Sequence, residues 1–297
     1  MNPAASIVDI PHWVRAAPDA HERELRQAVH TIVTAVTRDE NLRATMIMKG
    51  GILLAMRYGS PRFTRDIDFS TPLKLGEVTK EEVRQRMDAA LRLTVELLDY
   101  GLDCRVQRCE VRPPNKPAAT FPCIELGIGY APKGTPLHKR LLQGQCPHAV
   151  SIDYSLNEAV EETDTLALGE GDGTLRVYSL VEVVAEKLRA LLQQPLRNRY
   201  RRQDVYDLAR LMDQLPGPDL NGRILTSLRH KCRARGIEPG PGSLDDPEIR
   251  RRAEAEYLTL KDDVPGELPA FAISYAAVLA FYHSLPWDKE EADKSKA

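Results

Sequence analysis

The spacing of apolar residues changes character once along the 297-residue chain. Up to about residue 156, segments that alternate with the period of a strand are interleaved with segments of helical period. Beyond the loop GEGDG at 169–173, only helical spacing remains. The strand-like segments are 45–48, 63–70, 102–111, 121–130 and 149–155, with the turn-rich RPPNKPAAT between the third and fourth predicting a hairpin. Between them, Asp19 and Glu22 open a helix carrying Leu25, Val29, Ile32, Val33 and Val36, and residues 52–58 form a helix closed by Gly59. Val83, Met87, Leu91, Val95 and Leu98 then mark a helix over 81–100. Such interleaving predicts an α+β fold around one sheet. Helices expected over 179–193, 204–215, 222–235, 246–259 and 269–285 make the remainder an all-helical C-terminal part, so the predicted division is residues 1–175 and 176–297.

Composition excludes several classes. Lysine and arginine number 41 against 43 aspartate and glutamate, so the chain is no polycation and any basic surface must be local. The most apolar stretch, 270–282, is too short for a bilayer, which needs about 20 residues, and no secretory signal is visible at the N-terminus. No membrane association is expected. The five cysteines show no C-x-x-C pair, which predicts free thiols and a reducing, cytoplasmic location.

Asp66-Ile67-Asp68 is hard to read as scaffold alone. In a strand both carboxylates face one side, where they repel unless a cation lies between them, and oxygen-rich sites of that kind suit Mg²⁺. Upstream, Lys49-Gly50-Gly51 joins a strand to a helix. Two glycines let backbone approach a ligand, and the helix N-terminus offers N–H donors to phosphate. No G-x-x-x-x-G-K-[ST] occurs, so this is not a P-loop. A third carboxylate comes from Asp153, in S-I-D-Y-S, or from Glu125, in C-I-E-L-G, and periodicity does not choose between them. Lys187 falls on the apolar stripe of the helix from Ser179, where it either snorkels or aims its ammonium at a phosphate. Asp204 lies in a first helical turn, a favourable place for an anion. Arg197, Arg199, Arg201 and Arg202 precede it. With Arg229, Lys231, Arg233, Arg235 and Arg250 to Arg252, they are candidates for an RNA-binding basic surface.

In order, K-G-G, T-R-D-I-D, S-I-D-Y-S, the Y-S-L-x-E-x-x-A-E-K-L-R segment and R-R-Q-D-V-Y-D-L resemble the AbiEii/AbiGii toxin nucleotidyltransferases, themselves similar to the DNA polymerase β-type superfamily. The likeness runs from Lys49 to about Leu211. It implies a nucleotidyltransferase-type mixed sheet flanked by helices, an NTP substrate, two Mg²⁺ ions, a cognate antitoxin, and transfer to RNA, foremost the tRNA 3′ end, with translation blocked. By the same resemblance, Lys49, Gly50 and Gly51 hold the nucleotide and Asp66, Asp68 and Asp153 the metals, while Lys187 neutralises the triphosphate and Asp204 is the last motif carboxylate. The alternatives are transfer to a protein or small molecule, or a binding module without turnover. Two departures stand out: Gly50-Gly51 replaces the usual Gly-Ser, and Gln203 stands where related toxins often carry Lys.

Overall fold

The computed structural model describes residues 6–116, 118–169, 171 and 173–289. Pro117 of the hairpin turn, Glu170 and Asp172 of the 169–173 loop, and the charged tail from 290 lie outside the described residues. The strands are β1 (Ser6–Ile7), β2 (Ile47–Lys49), β3 (Asp66–Ser70), β4 (Leu102–Arg112), β5 (Cys123–Pro132), β6 (Ala149–Ser155), β7 (Thr163–Ala167) and β8 (Thr174–Tyr178). They form one mixed sheet in the order β1-β7-β8-β2-β3-β6-β5-β4. The β1/β7, β2/β8 and β3/β6 pairs are parallel and the others antiparallel. The fold is α+β.

Two compact units divide the chain. One comprises the residues up to Gly59, Thr64–Glu158 and Thr163–Tyr178; the other comprises Ser60–Phe63, Ala159–Glu162 and the chain from Ser179 on. In the first unit, strand alternation sorts side chains by face. Ile67 and Phe69 of β3, Ile152 and Tyr154 of β6, and Ile124, Leu126 and Ile128 of β5 are fully buried. The helices Ala20–Arg38 and Lys80–Leu97 pack on each other and on the sheet. Asp19 caps the first of these, accepting from the Glu22 N–H at 2.8 Å, and Thr79 caps the second.

The β7/β8 hairpin is absent from the sequence expectation, which ended the sheet at 155. Its alternation spans five residues per strand, with Leu175 and Val177 buried, too brief a signal beside the glycine-rich loop it flanks. Short helices at Ile10–Arg15, Glu40–Thr45 and Pro136–Leu142 escaped the pattern for the same reason.

In the second unit the helix Leu180–Leu192 packs against Arg202–Met212 and Asn221–Arg233, and Phe271–His283 covers Arg202–Met212. The expected helix over 246–259 is instead the α-helix Pro247–Glu254 followed by a 3₁₀ segment, Tyr257–Asp262, with Glu256 between them in the left-handed region. Ser179 caps its helix through the Glu182 N–H at 3.2 Å, but the Glu182 side chain does not complete a capping box. It is buried, with the Lys231 ammonium 2.6 Å from one oxygen and the Ser227 hydroxyl donating to the other at 2.8 Å. Lys231 also donates to the Ala159 carbonyl at 2.7 Å. This corrects the placing of Lys231 on a basic surface: its ammonium is buried against Glu182, with Glu186 a second anion at 3.7 Å, and an ammonium follows its counter-ions. Among the described residues no helix is long and apolar enough to cross a membrane. All five cysteines are free.

Removing one partner of a buried ion pair strands the other charge, at a cost of about 3–5 kcal/mol. Lys231→Met is therefore expected to lower the thermal unfolding temperature by many degrees, and adding Glu182→Leu to recover part of the loss, as read by circular dichroism.

Candidate active site

Strand register builds the site. Registered neighbours across a sheet project to the same face. Lys49 on β2 pairs with Asp68 on β3, Asp68 with Asp153 on β6, Asp153 with Glu125 on β5, and Glu125 with Glu110 on β4. One row of five ionisable side chains thus crosses five strands, on the face opposite Ile67 and Phe69. One pleat away, Asp66, Ser151, Gly127 and Arg108 form a second row on the same face. The two readings of the third carboxylate are therefore spatial neighbours, and the sequence had no means of separating them.

Their partners differ. Glu125 is engaged by two arginines: Arg112 Nε donates to Oε2 at 3.1 Å, and Arg108 Nη2 donates to Oε1. Asp153 is surrounded mainly by anions. Burial first, then the charges of Asp66 and Glu125, push its carboxyl above the ordinary aspartate value, against the opposing pull of Lys49 and Arg108. Asp66 is raised as well, by burial and then by Glu125, with Arg65 opposing. Lys49 reaches 3.5 Å from the Ser155 hydroxyl and lies 5.9 Å from the Tyr178 ring centre.

The glycine turn lies against this row. Lys49 is the N-cap of the helix Gly50–Tyr58, and its own side chain makes no cap bond. Gly50 has φ +76°, and a Cβ added to it would stand 1.9 Å from Asp68 Oδ2. Only glycine allows the backbone to approach that carboxylate so closely. Gly51 continues the first turn.

A divalent cation fits the chemistry of this face. Its donors are hard carboxylate oxygens, and the charges of Asp66 and Glu125, which add to burial in raising Asp153, are of the kind a cation relieves. Among the described residues no three His, Cys, Asp or Glu side chains converge tightly enough to enclose an ion unaided. Magnesium does not need such a cage, since it retains waters and takes substrate phosphates as ligands.

Lys187 and Asp204 belong to the helical unit and meet there. The Lys187 ammonium donates to Asp204 Oδ1 at 2.9 Å and to Asp207 Oδ2 at 2.7 Å. Arg62 grips Asp207 with both Nε and Nη2 at 3.0 Å. Burial alone would lower the Lys187 ammonium, yet the two carboxylates carry it above the ordinary lysine value. Burial would likewise raise Asp207, yet Lys187 and Arg62 hold it below the ordinary range. Asp204 Oδ2 is buried without a hydrogen-bond partner, with Arg201 Nε 3.7 Å away. Sequence reasoning assigned no role to Asp207 or Arg62. The i, i+3 spacing of Asp204 and Asp207 placed both on one helix face, but Arg62, 145 residues distant, left no local signal. Of the expected basic cluster, Arg202 lies 3.8 Å from Asp263, while Arg197 and Arg199 are exposed.

The fold is shared with solved structures. JHP933 from Helicobacter pylori superposes with a TM-score of 0.50 at 14% identity, covering 94% of this chain and 98% of its own. An H. pylori protein described as a candidate nucleotidyltransferase gives 0.50 at 13% identity, covering 94% and 99%. The architecture is thus of the nucleotidyltransferase type. Residues 32–291 match the family model "Nucleotidyl transferase AbiEii toxin, Type IV TA system", and the chain belongs to that family of toxins. No curated protein matches the chain.

Two outcomes follow from this geometry. Gly50→Ala drives a methyl into Asp68 at a positive φ, and is expected to weaken nucleotide binding at least tenfold by calorimetry while leaving the helical unit's unfolding unchanged. Because the Asp153 carboxyl is raised above the ordinary aspartate value, the folded protein binds more protons than the unfolded chain between that ordinary value and its own, and stability falls as pH rises through that window. Asp153→Asn is therefore expected to unfold at a higher temperature than the wild type at pH 7, and added Mg²⁺ to stabilise the wild type but not Asp68→Asn.

Proposed function

We propose that this protein transfers a nucleotide from an NTP to the 3′ hydroxyl of RNA, foremost tRNA, and that this blocks translation until a cognate antitoxin restrains it. The observation that carries the proposal is the row Lys49, Asp68, Asp153 with Asp66 beside it, set against the Gly50 turn. Phosphoryl transfer is mostly positioning and charge neutralisation, and these are the parts it requires. Five free cysteines support a reducing cytoplasm as its location.

In this reading Lys49 and the N–H groups of Gly50 and Gly51 hold the triphosphate, and Asp66, Asp68 and Asp153 hold Mg²⁺, two ions being expected. When bound, the metal supplies Lewis acidity to the α-phosphate and acidifies the acceptor hydroxyl. Asp153, beside Asp68 in the row, takes the hydroxyl proton as the oxygen bonds to phosphorus and pyrophosphate leaves. Lys187 keeps a third ammonium hydrogen beyond the two given to Asp204 and Asp207, and is assigned to the triphosphate. Asp204 orients it, and Arg197, Arg199, Arg201 and Arg202 are assigned to RNA phosphates.

Incubation with each of four labelled NTPs and total tRNA is the test. Mg²⁺-dependent label in tRNA, lost in Asp68→Asn by at least a thousandfold, is the expected result, a size ordinary for removing a group that acts in the transition state. No label from a preparation that arrests growth overturns the proposal. Label found instead on a protein or small molecule moves the acceptor, and growth arrest by folded Asp68→Asn makes the protein a binding module.

A further inference from the structure

The carboxylate row has two ends, and only one is used above. At the β2 end stand Lys49 and the Gly50 turn; at the β4 end stand Arg108 and Arg112. In-line displacement places nucleophile and leaving group on opposite sides of the phosphorus. With the triphosphate held at the β2 end, the acceptor enters over β5 and β4. β4 is the edge of the sheet, so this approach is not closed by a further strand.

The residues along that approach suit a phosphodiester strand. In the row Asp66, Ser151, Gly127, Arg108 the middle two positions are small, and a Cβ at Gly127 would stand 3.5 Å from Arg108 Cβ and 3.9 Å from its Nε. Those are ordinary contact distances, so the Arg108 side chain lies over the Gly127 position on its way to Glu125. Glu125 offers one oxygen to each of the two guanidiniums, and a phosphodiester presents the same two anionic oxygens. The arginine side chains are 49% and 42% exposed, so their pairing contributes little to the fold and a ligand can reach them. Arg108 stands two strand spacings, about 10 Å, from Asp153, a span covered by a nucleotide or two of extended single strand.

Resting on the transferase reading above, we infer that Arg108 and Arg112 form the acceptor-side phosphate subsite, binding the phosphodiester next to an RNA 3′ hydroxyl. Glu125 is a placeholder anion that keeps both guanidiniums turned toward the carboxylates until the acceptor displaces it. Arg112 also contacts Glu110 at 2.8 Å, which anchors it at the rim. Glu125 is then a positioning residue and Asp153 the third carboxylate.

The test uses the full chain and a single-stranded oligoribonucleotide with a free 3′ hydroxyl, assayed at pH 8 over a range of salt. Arg108→Gln and Arg112→Gln are each expected to raise the acceptor KM about tenfold. Each should also flatten the plot of log kcat/KM against log salt by about 0.7, the loss of one single-strand phosphate contact. NTP affinity, measured without RNA, should not fall in parallel. Glu125→Gln should lower the acceptor KM by releasing the arginines. Unchanged KM and salt slope in both arginine variants, with an active wild type, overturn the subsite. Loss of transfer in Glu125→Gln with acceptor affinity intact also overturns it, by making Glu125 a catalytic carboxylate. A wild type that transfers nothing to RNA refutes the transferase reading itself. Fluorescence anisotropy of the same oligomer then judges the subsite alone, which falls if the wild type does not bind or if the arginine variants keep its salt slope.

Discussion

Hydrogen-bonded strands lie about 4.8 Å apart, and side chains in register across them cannot avoid one another. Placing Asp68, Asp153 and Glu125 on successive strands therefore fixes three carboxylates in a repulsive array that the backbone ladder does not allow to relax. Much around it answers this repulsion. Lys49 closes one end of the row, Arg108 and Arg112 neutralise the far carboxylate, and burial together with its anionic neighbours raises the Asp153 carboxyl above the ordinary aspartate value. Between the two ends, Asp153 faces mainly other carboxylates.

The helical unit treats charge in the opposite way. Lys187, Asp204, Asp207 and Arg62 are gathered together, as are Lys231 and Glu182. Each carboxylate meets a cation, and the shifts of Lys187 and Asp207 both favour the charged form. Such clusters add less to stability than an apolar core of equal volume, and their usual use is to specify one arrangement. Here the Lys187 ammonium is held by two carboxylates on the neighbouring helix, which fixes its direction. Asp204 Oδ2 is buried there without a hydrogen-bond donor.

Much of this could be read from the chain. Asp66 and Asp68 declared themselves because alternation puts them on one face without knowledge of any partner strand, and Gly50 because few reasons exist for a glycine between strand and helix. That Glu125 has two arginines beside it, and Asp153 mainly carboxylates, could not be read. That depends on β4 pairing with β5 across a register shift between Val106 and Arg108. Lys187 stood out as a lysine on an apolar stripe, but Asp207 did not, because a carboxylate one turn after Asp204 looks like an ordinary solvated helix face. Lys231 misled for the converse reason: a basic run on a helix says nothing about a glutamate waiting inside. The β7/β8 hairpin was lost because two five-residue strands carry too few alternations to outweigh a glycine-rich loop.

Arg62 is carried by a four-residue strap that precedes β3, yet it is part of the helical unit and supplies one of the two cations that Asp207 requires. The two units are consequently not interchangeable modules. A fragment starting at Ser179 would bury Asp207 short of a counter-charge, and a gene rearrangement that swapped in another helical half would have to bring its own upstream arginine. The polypeptide is stitched, so that its halves are inherited together or not at all.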